Sequence, residues 1–452
     1  VIDTVAIFED GTVGDLGSIA FTRPVYELRC GLTSLRTRIT RHYPKAKLHL
    51  LCRHCLGAVL QEELAREGVE ATVNDLAALR QTGALFINGG VLAHGDMPPL
   101  AGENVVAKQD GRVLYARLDG ASVPDLADQI QTDDAGGISL AVPAGVAGNE
   151  TQDMSAVRYP WDLIKANAEA IEQDVMAIGA AKPSDGVVER GAYVRVTDGD
   201  GVTVYDGDEA TRLAAEAKIP LHVGSGSVVY PGTVLDTTEG VIYIDEGVTV
   251  RPPTLIDGPC YLGVDTLIDG AKIREGCSIG PVCKVAGEVE ESIFQGYSNK
   301  HHDGFLGHAY VGEWVNIGAL ATNSDLKNTY GDVDVFLTSE QYATAKATPS
   351  GEYKMVGSYL GDHTKLGIGV MLNTGTHVGV ACNVVFGAMP PKYVPSFSWP
   401  ARDGFVAYDL ERMLDTAERV MGRRDRAPSE AYRALIRHIF AETAADRSRC
   451  WE

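Results

Sequence analysis

No run in this chain approaches the about 18 consecutive apolar residues that a membrane span needs, and the opening VIDTVAIFEDG has no basic segment ahead of an apolar stretch. The expectation is a cytoplasmic protein with no membrane partner. Basic residues are also in short supply: 40 Lys and Arg stand against 61 Asp and Glu, for a formal net charge of −21. That surplus repels polyanions, so nucleic acid is excluded as a general partner, while a local basic pocket for phosphate groups is not. The eight cysteines lie at 30, 52, 55, 260, 277, 283, 382 and 450, without the density or spacing of a disulfide framework. Cys52-Arg-His-Cys55 has no second pair to complete a zinc site and reads as strand-end packing.

What the chain does have is an aliphatic residue at every sixth position over two long stretches. Leu360, Leu366, Leu372, Val378 and Val384 keep this beat, as do Ile244, Val250, Ile256, Leu262 and Ile268. After a one-residue slip Ile273, Ile279 and Val285 resume it, and glycines such as Gly247, Gly263 and Gly361 supply corners. A helix repeats near 3.6 and a strand at 2, so neither yields a sustained six. Short strands that each send one aliphatic inward and then turn a corner do, which predicts a left-handed parallel β-helix. Proteins of this architecture are very often acyltransferases. Open coils are covered by caps or by neighbouring copies, and a homotrimer is the expected assembly.

The first 180 or so residues read differently. Val5–Phe8, Lys47–Cys52 and Ala84–Ile87 are short apolar runs, alternating with amphipathic stretches at 31–42, 54–67 and 161–178. That alternation predicts a mostly parallel, doubly wound α/β sheet, with ligands beyond the carboxyl ends of its strands at Glu9-Asp10-Gly11, Cys52-Arg53-His54 and Asn88-Gly89-Gly90. The expected organisation is an α/β domain over 1–185, a linker or start of the coil over 186–219, the β-helix over 220–388 with a polar insertion at roughly 328–354, and a C-terminal extension with helices over 389–452.

The densest polar segment lies between the two regular stretches. His301, His302 and His308 are accompanied there by Lys300, Lys327, Asn316 and Asn323. Acyl transfer from a thioester to an amine needs a base, donors for the oxyanion and a cationic lining for a phosphorylated acceptor. Histidine suits the first task, since its ordinary pKa lies near working pH. The asparagines suit orientation, and Lys300 or Lys327 the phosphate. Corner histidines with satisfied hydrogen bonds, or a three-histidine zinc cluster, are the alternatives.

The run VGEWVNIGA resembles the hexapeptide core of the bacterial bifunctional family that acetylates glucosamine-1-phosphate and joins the product to UMP. FTRPVYELRCG, YPWDLI, GPVCKVAGEVEESIF, GYSNKHHDGFLGH, TNSDLKN, GDHTKLGIG and PSFSWP, in this order, resemble a divergent branch of that family over nearly the whole length. The resemblance implies His302 as catalytic base, Asn316 and Asn323 as substrate contacts, Lys284 and Lys327 near the sugar phosphate, and Ala319 and Val380 as acetyl-CoA contacts. It departs from the usual pattern at Glu290, Phe305 and Asp362. For the N-terminal half it implies sugar-1-phosphate nucleotidyl transfer from a nucleoside triphosphate, UTP in the family, with Mg²⁺ bridging phosphates and Arg23 and Arg29 binding them. Metal-binding residues stay unassigned, and Asn88 stands where the family places an aspartate. The expected partners are thus a sugar phosphate, a nucleotide and acetyl-CoA. Rival expectations are a monofunctional enzyme with one inactive domain and a non-catalytic sugar-nucleotide sensor.

Overall fold

The computed structural model describes residues 2–124, 137–138, 140, 146–151, 154–178, 184–199, 201–385, 389–402 and 404–451. The chain divides into two compact units, Val1–Leu28 with Thr33–Tyr159 and Ser429–Ile439, and Arg29–Leu32 with Pro160–Pro428 and Phe440–Glu452.

In the first unit the apolar runs form β1 (Thr4–Phe8), β2 (Lys47–Leu51), β3 (Thr72–Val73), β4 (Ala84–Asn88), β5 (Val105–Gln109), β6 (Arg112–Leu118) and β7 (Ala147–Glu150). Their order across the sheet is β3-β2-β1-β4-β6-β5-β7. All run parallel except β6, which is antiparallel to both neighbours. Phe8 is opposite both Leu51 and Asn88, so β1, β2 and β4 end flush and their following residues share one edge. Helices Leu35–Arg41, Gly57–Glu67 and Leu76–Thr82 fill the connections. Ala6, Phe8, Leu51, Phe86 and Val106 form the core beneath that edge.

The second unit is built from short parallel strands stacked coil on coil. Ile244 pairs with Leu262, Leu262 with Ile279, Ile279 with Phe294, Phe294 with Val311, Val311 with Leu360 and Leu360 with Val378, all of them fully buried. A second inward column runs Val250, Ile268, Val285, and continues through Leu366 to Val384. Each such aliphatic contributes roughly 1.5–3 kcal/mol on burial. The one-residue slip read from the sequence has a local cause: the ladder between Leu267–Ile273 and Lys284–Glu290 shifts register between Ile268 and Ala271, at Gly270 with φ +65. The polar insertion is a hairpin, Asp334–Val335 against Thr348–Pro349, around the short helix Ser339–Ala343.

One boundary differs from the expected organisation. Helix Pro160–Ile178 clusters with the coils, because Asn167 donates to the Gly276 carbonyl at 2.8 Å and Ile171 packs with Tyr243 and Tyr261. The 186–219 stretch, expected as a linker or the start of the coil, is ladder: Val187–Val188 pairs with Val228–Val229, and Tyr193–Asp198 pairs with Thr233–Asp236 while also forming a hairpin with Gly201–Asp206. After residue 400 the described residues of the C-terminal extension form three helices, Leu410–Gly422, Glu430–Glu442 and Ala444–Trp451. The first buries Met413, Leu414, Ala417 and Met421. Arg447 lies over the Phe440 ring, 4.3 Å from its centroid. Among the described residues no helix is long and apolar enough to cross a membrane, and all eight cysteines are free.

Candidate functional site

At the strand-end edge of the first unit, Glu9 is fully buried. It accepts from the Val25 amide at 3.0 Å and from the Arg53 amide and guanidinium at 3.1 Å each. Arg53 also donates to the Ala20 carbonyl at 2.6 Å and the Arg23 carbonyl at 3.1 Å, which staples the loop after β1 to the end of β2. Arg23 itself is buried, its guanidinium toward the Ile19 carbonyl at 3.4 Å. Asp10 takes the Arg112 guanidinium at 2.5 Å, the Asn88 amide at 2.6 Å and the Thr12 hydroxyl at 2.6 Å. Burial alone would raise the Asp10 pKa, yet Arg112 and Thr12 hold it below the ordinary value. Asn88 is spent on the same network, its carbonyl oxygen accepting from Gly90 at 2.9 Å and from Arg112 at 3.3 Å.

This edge does not fit Mg²⁺ as arranged. Mg²⁺ asks for one or two free carboxylate oxygens, and both Asp10 oxygens are already filled by cationic or neutral donors. Among the described residues no three His, Cys, Asp or Glu groups converge as a metal site.

In the second unit Asn299 is in register with both Lys284 and Asn316, and Asn316 with Lys365. Because Val285, Ile317 and Leu366 point inward, this column points outward. The structure therefore brings Lys284 and Asn316 onto one face of adjacent coils. His301, two residues after Asn299, shares that face and meets Asp269 at 3.1 Å. His302 follows at the corner with its ring exposed and 5.9 Å from the His301 ring. Beneath it Lys300 occupies an inward position opposite Val285 and is almost fully buried. Its ammonium donates to the Ala286 carbonyl at 2.8 Å and the His302 carbonyl at 3.2 Å. Burial lowers its pKa to about 8.

The remaining expected residues lie elsewhere. Asn323 turns inward opposite Leu372 and spends its amide on Gly307, accepting from its N–H at 2.9 Å and donating to its carbonyl at 2.8 Å. Lys327 pairs with Asp334 of the insertion at 3.0 Å. Arg29 belongs to the second unit, where its guanidinium donates to the Gln295 carbonyl at 3.3 Å and to the Leu32 carbonyl. Ala319 is half-buried, with its carbonyl accepting from Gly369 at 2.9 Å. Val380 is fully buried; Ser396 accepts from its amide at 3.0 Å and its carbonyl accepts from Phe397 at 2.7 Å, so within this chain neither side chain nor backbone is presented to a ligand. His308 is clamped by Asp325 at 2.9 Å and Glu291 at 3.3 Å.

The sequence reading missed Lys365, Arg423 and Arg424. Together with Asn299 and Asn316 they line a cavity of 210 Å³, closed on one side by Tyr297 and Trp314 stacked at 4.5 Å. A signal for Lys365 existed: Leu366 keeps the inward beat, so its neighbour faces out. Nothing comparable marks the arginines, which reach the column from beyond helix Leu410–Gly422.

Residues 5–182 match the sugar nucleotidyl transferase family. The chain is also similar to proteins named bifunctional protein GlmU: 31% identical over 152 residues to that of Geobacillus sp. (strain WCH70), covering 29% of this chain and 31% of the relative. Against that of Anaeromyxobacter dehalogenans (strain 2CP-C) the identity is 31% over 196 residues, 40% of this chain and 36% of the relative. Against that of Rippkaea orientalis it is 30% over 136 residues, 28% of each. The chain spans about a third of the length of these curated relatives. The family match covers the sheet edge at Asp10, Arg53 and Asn88, and its residues are those of a sugar nucleotidyl transferase domain.

Proposed function

We propose that this protein is a transferase of nucleotide-sugar synthesis whose second unit is a left-handed parallel β-helix that moves an acetyl group from acetyl-CoA to an amino sugar-1-phosphate. The observation that carries this reading is the outward column Lys284, Asn299, Asn316 beside the His301–His302 corner. His302 takes the proton of the attacking amine, its exposed ring having access to substrate. Asn316 orients the sugar, and Lys284 faces its phosphate. Lys300, fastened to the His302 carbonyl, holds the corner in place. Thioester aminolysis then needs a positioned amine, a base and donors for the oxyanion, and no metal is required. Ala319, a coil further on, lies on the acetyl-CoA side of this reading.

In the same reading the first unit, which carries the sugar nucleotidyl transferase match, transfers the nucleoside monophosphate of a nucleoside triphosphate to the sugar-1-phosphate, pyrophosphate leaving, with the nucleotide beyond the ends of β1, β2 and β4. The arginines there supply charge neutralisation, the main requirement of phosphoryl displacement. One observation favours a second reading. Asp10, Asn88 and Arg112 satisfy one another, and such a closed network suits a first unit that has lost turnover, leaving a monofunctional acetyltransferase. Thiol and pyrophosphate release, followed in parallel, separate the two. Thiol release together with pyrophosphate formed from UTP and N-acetylglucosamine-1-phosphate supports both activities, and thiol release without pyrophosphate supports the second reading.

A further inference from the structure

The cavity beside the outward column departs in charge from the rest of the chain. Acidic residues outnumber basic ones 61 to 40, yet the ionisable residues along its wall are Lys365, Arg423 and Arg424, with no carboxylate among them. The other polar groups of the wall are the Asn299 and Asn316 amides, the Tyr297 hydroxyl and the Trp314 indole nitrogen, and the carboxylate that acts on Lys365, that of Asp362, lies outside the wall. Chance placement in so acidic a protein favours the opposite sign, and like charges left facing one another cost free energy unless an anion joins them.

The site is built and held. Lys365 donates to the Trp314 carbonyl at 2.6 Å and to the His363 carbonyl at 2.9 Å, which fixes its ammonium at the cavity floor. Arg424 donates to Asn299 Oδ1 at 3.1 Å. Arg426 donates to the Tyr297 hydroxyl at 3.0 Å with its guanidinium 5.7 Å from that ring, anchoring the whole segment after the helix on the Tyr297–Trp314 stack. Arg423 is exposed at the rim and has no carboxylate partner among the described residues. Burial depresses the Lys365 pKa to about 7, a cost that a bound anion removes.

We propose that this cavity is a phosphate site in which Arg423 and Arg424 of the C-terminal extension, with Lys365, hold a phosphate monoester. Guanidinium groups match phosphate oxygens in geometry as well as charge. The volume of 210 Å³ falls below the about 300–1,000 Å³ of pockets for drug-sized ligands, so the cavity takes a single phosphate group and a small part of the molecule that carries it. Two molecules of the acetyl-transfer reaction carry such a group, the amino sugar-1-phosphate and coenzyme A. The inference rests on the proposed acetyl transfer only for the choice between them.

Calorimetric titration of the full chain with inorganic phosphate, glucosamine-1-phosphate and coenzyme A separately is the test, repeated with R423A/R424A and with Lys365→Met. The expected result is saturable binding of inorganic phosphate and of one organic phosphate, weakened at least about tenfold in both variants. Loss of glucosamine-1-phosphate binding assigns the sugar and moves its phosphate from Lys284 to this cavity, and loss of coenzyme A binding assigns the cofactor and leaves the sugar phosphate at Lys284. No phosphate binding by the wild type, or binding unchanged in both variants whose circular dichroism matches the wild type, overturns the proposal. Binding lost in the variants of a protein that releases no thiol from acetyl-CoA leaves the phosphate site standing and removes the acetyltransferase reading. Thiol release with unchanged binding does the reverse.

Discussion

His308 and Lys300 show how differently two buried cations are treated within one coil. Burial opposes the His308 charge, but its hydrogen bonds to Asp325 and Glu291 raise its pKa to about 9, above the ordinary 6.5. A raised folded-state pKa means stability that is fully present below about pH 6.5 and lost as pH rises through 9. The destabilisation caused by His308→Gln is therefore expected to be largest near pH 6 and to shrink by pH 9.5. Urea unfolding of both proteins at the two pH values checks this, and an equal difference at both contradicts the clamp. Among the described residues Lys300 meets only carbonyls at hydrogen-bonding distance and no carboxylate, in a column otherwise aliphatic. Replacing a buried charge with a well-packed apolar residue is commonly neutral or stabilising by about 1–4 kcal/mol. Lys300→Met is expected to keep or raise the melting temperature while lowering thiol release, because the His302 corner loses its tether. A variant both stable and fully active shows that the tether does nothing.

At the scale of elements, the hexad rhythm was legible wherever coils are of regular length. Ile244 and Leu262, or Leu360 and Val378, stand three hexads apart in sequence and pair in space. Between them the coils shorten, with Ile279 pairing to Phe294 and Val285 to Lys300, so counting by six lands on the wrong residue. Polar side chains at inward positions, Lys300 and Asn323, then read as surface or substrate contacts although their partners are backbone groups of the preceding coil and, for Lys300, of His302 two residues on. The first-unit strands were legible as apolar runs, but the saturation of Asp10 was not, since Arg112 arrives from another strand. Close coil stacking also sets a limit on side chains. A Cβ at Gly357 would sit 1.9 Å from the Gly307 carbonyl oxygen and 2.7 Å from the Asn323 amide nitrogen. Gly357→Ala is expected to cost about 1–3 kcal/mol or more, measured by urea unfolding, and a loss under about 0.5 kcal/mol denies that the Asn323 contact is rigid.

For the whole molecule, the outward column ends in aliphatic residues that water alone covers in the single chain. Ile368 is 78% exposed, Leu320 61% and Val385 57%, and each lies just past a strand of the column. Apolar exposure of this kind marks an interaction surface, and the proposed homotrimer is its expected occupant. Sedimentation velocity is expected to show a trimer for the wild type and a smaller species for Ile368→Glu. A wild-type monomer removes the assembly from the account. The helix Pro160–Ile178 belongs to the sugar nucleotidyl transferase match by sequence and to the coil unit by packing, so removing the first unit at the family boundary takes Asn167 away from Gly276.

The central claim is acetyl transfer at the His301–His302 corner. It is tested most directly by following free thiol from acetyl-CoA with glucosamine-1-phosphate as acceptor, in the wild type and in His302→Ala. Acceptor-dependent thiol release is expected from the wild type and falls by at least about a hundredfold in the variant, as follows from loss of a general base. Thiol release unchanged in His302→Ala, or none from the wild type with any amino sugar phosphate, contradicts it.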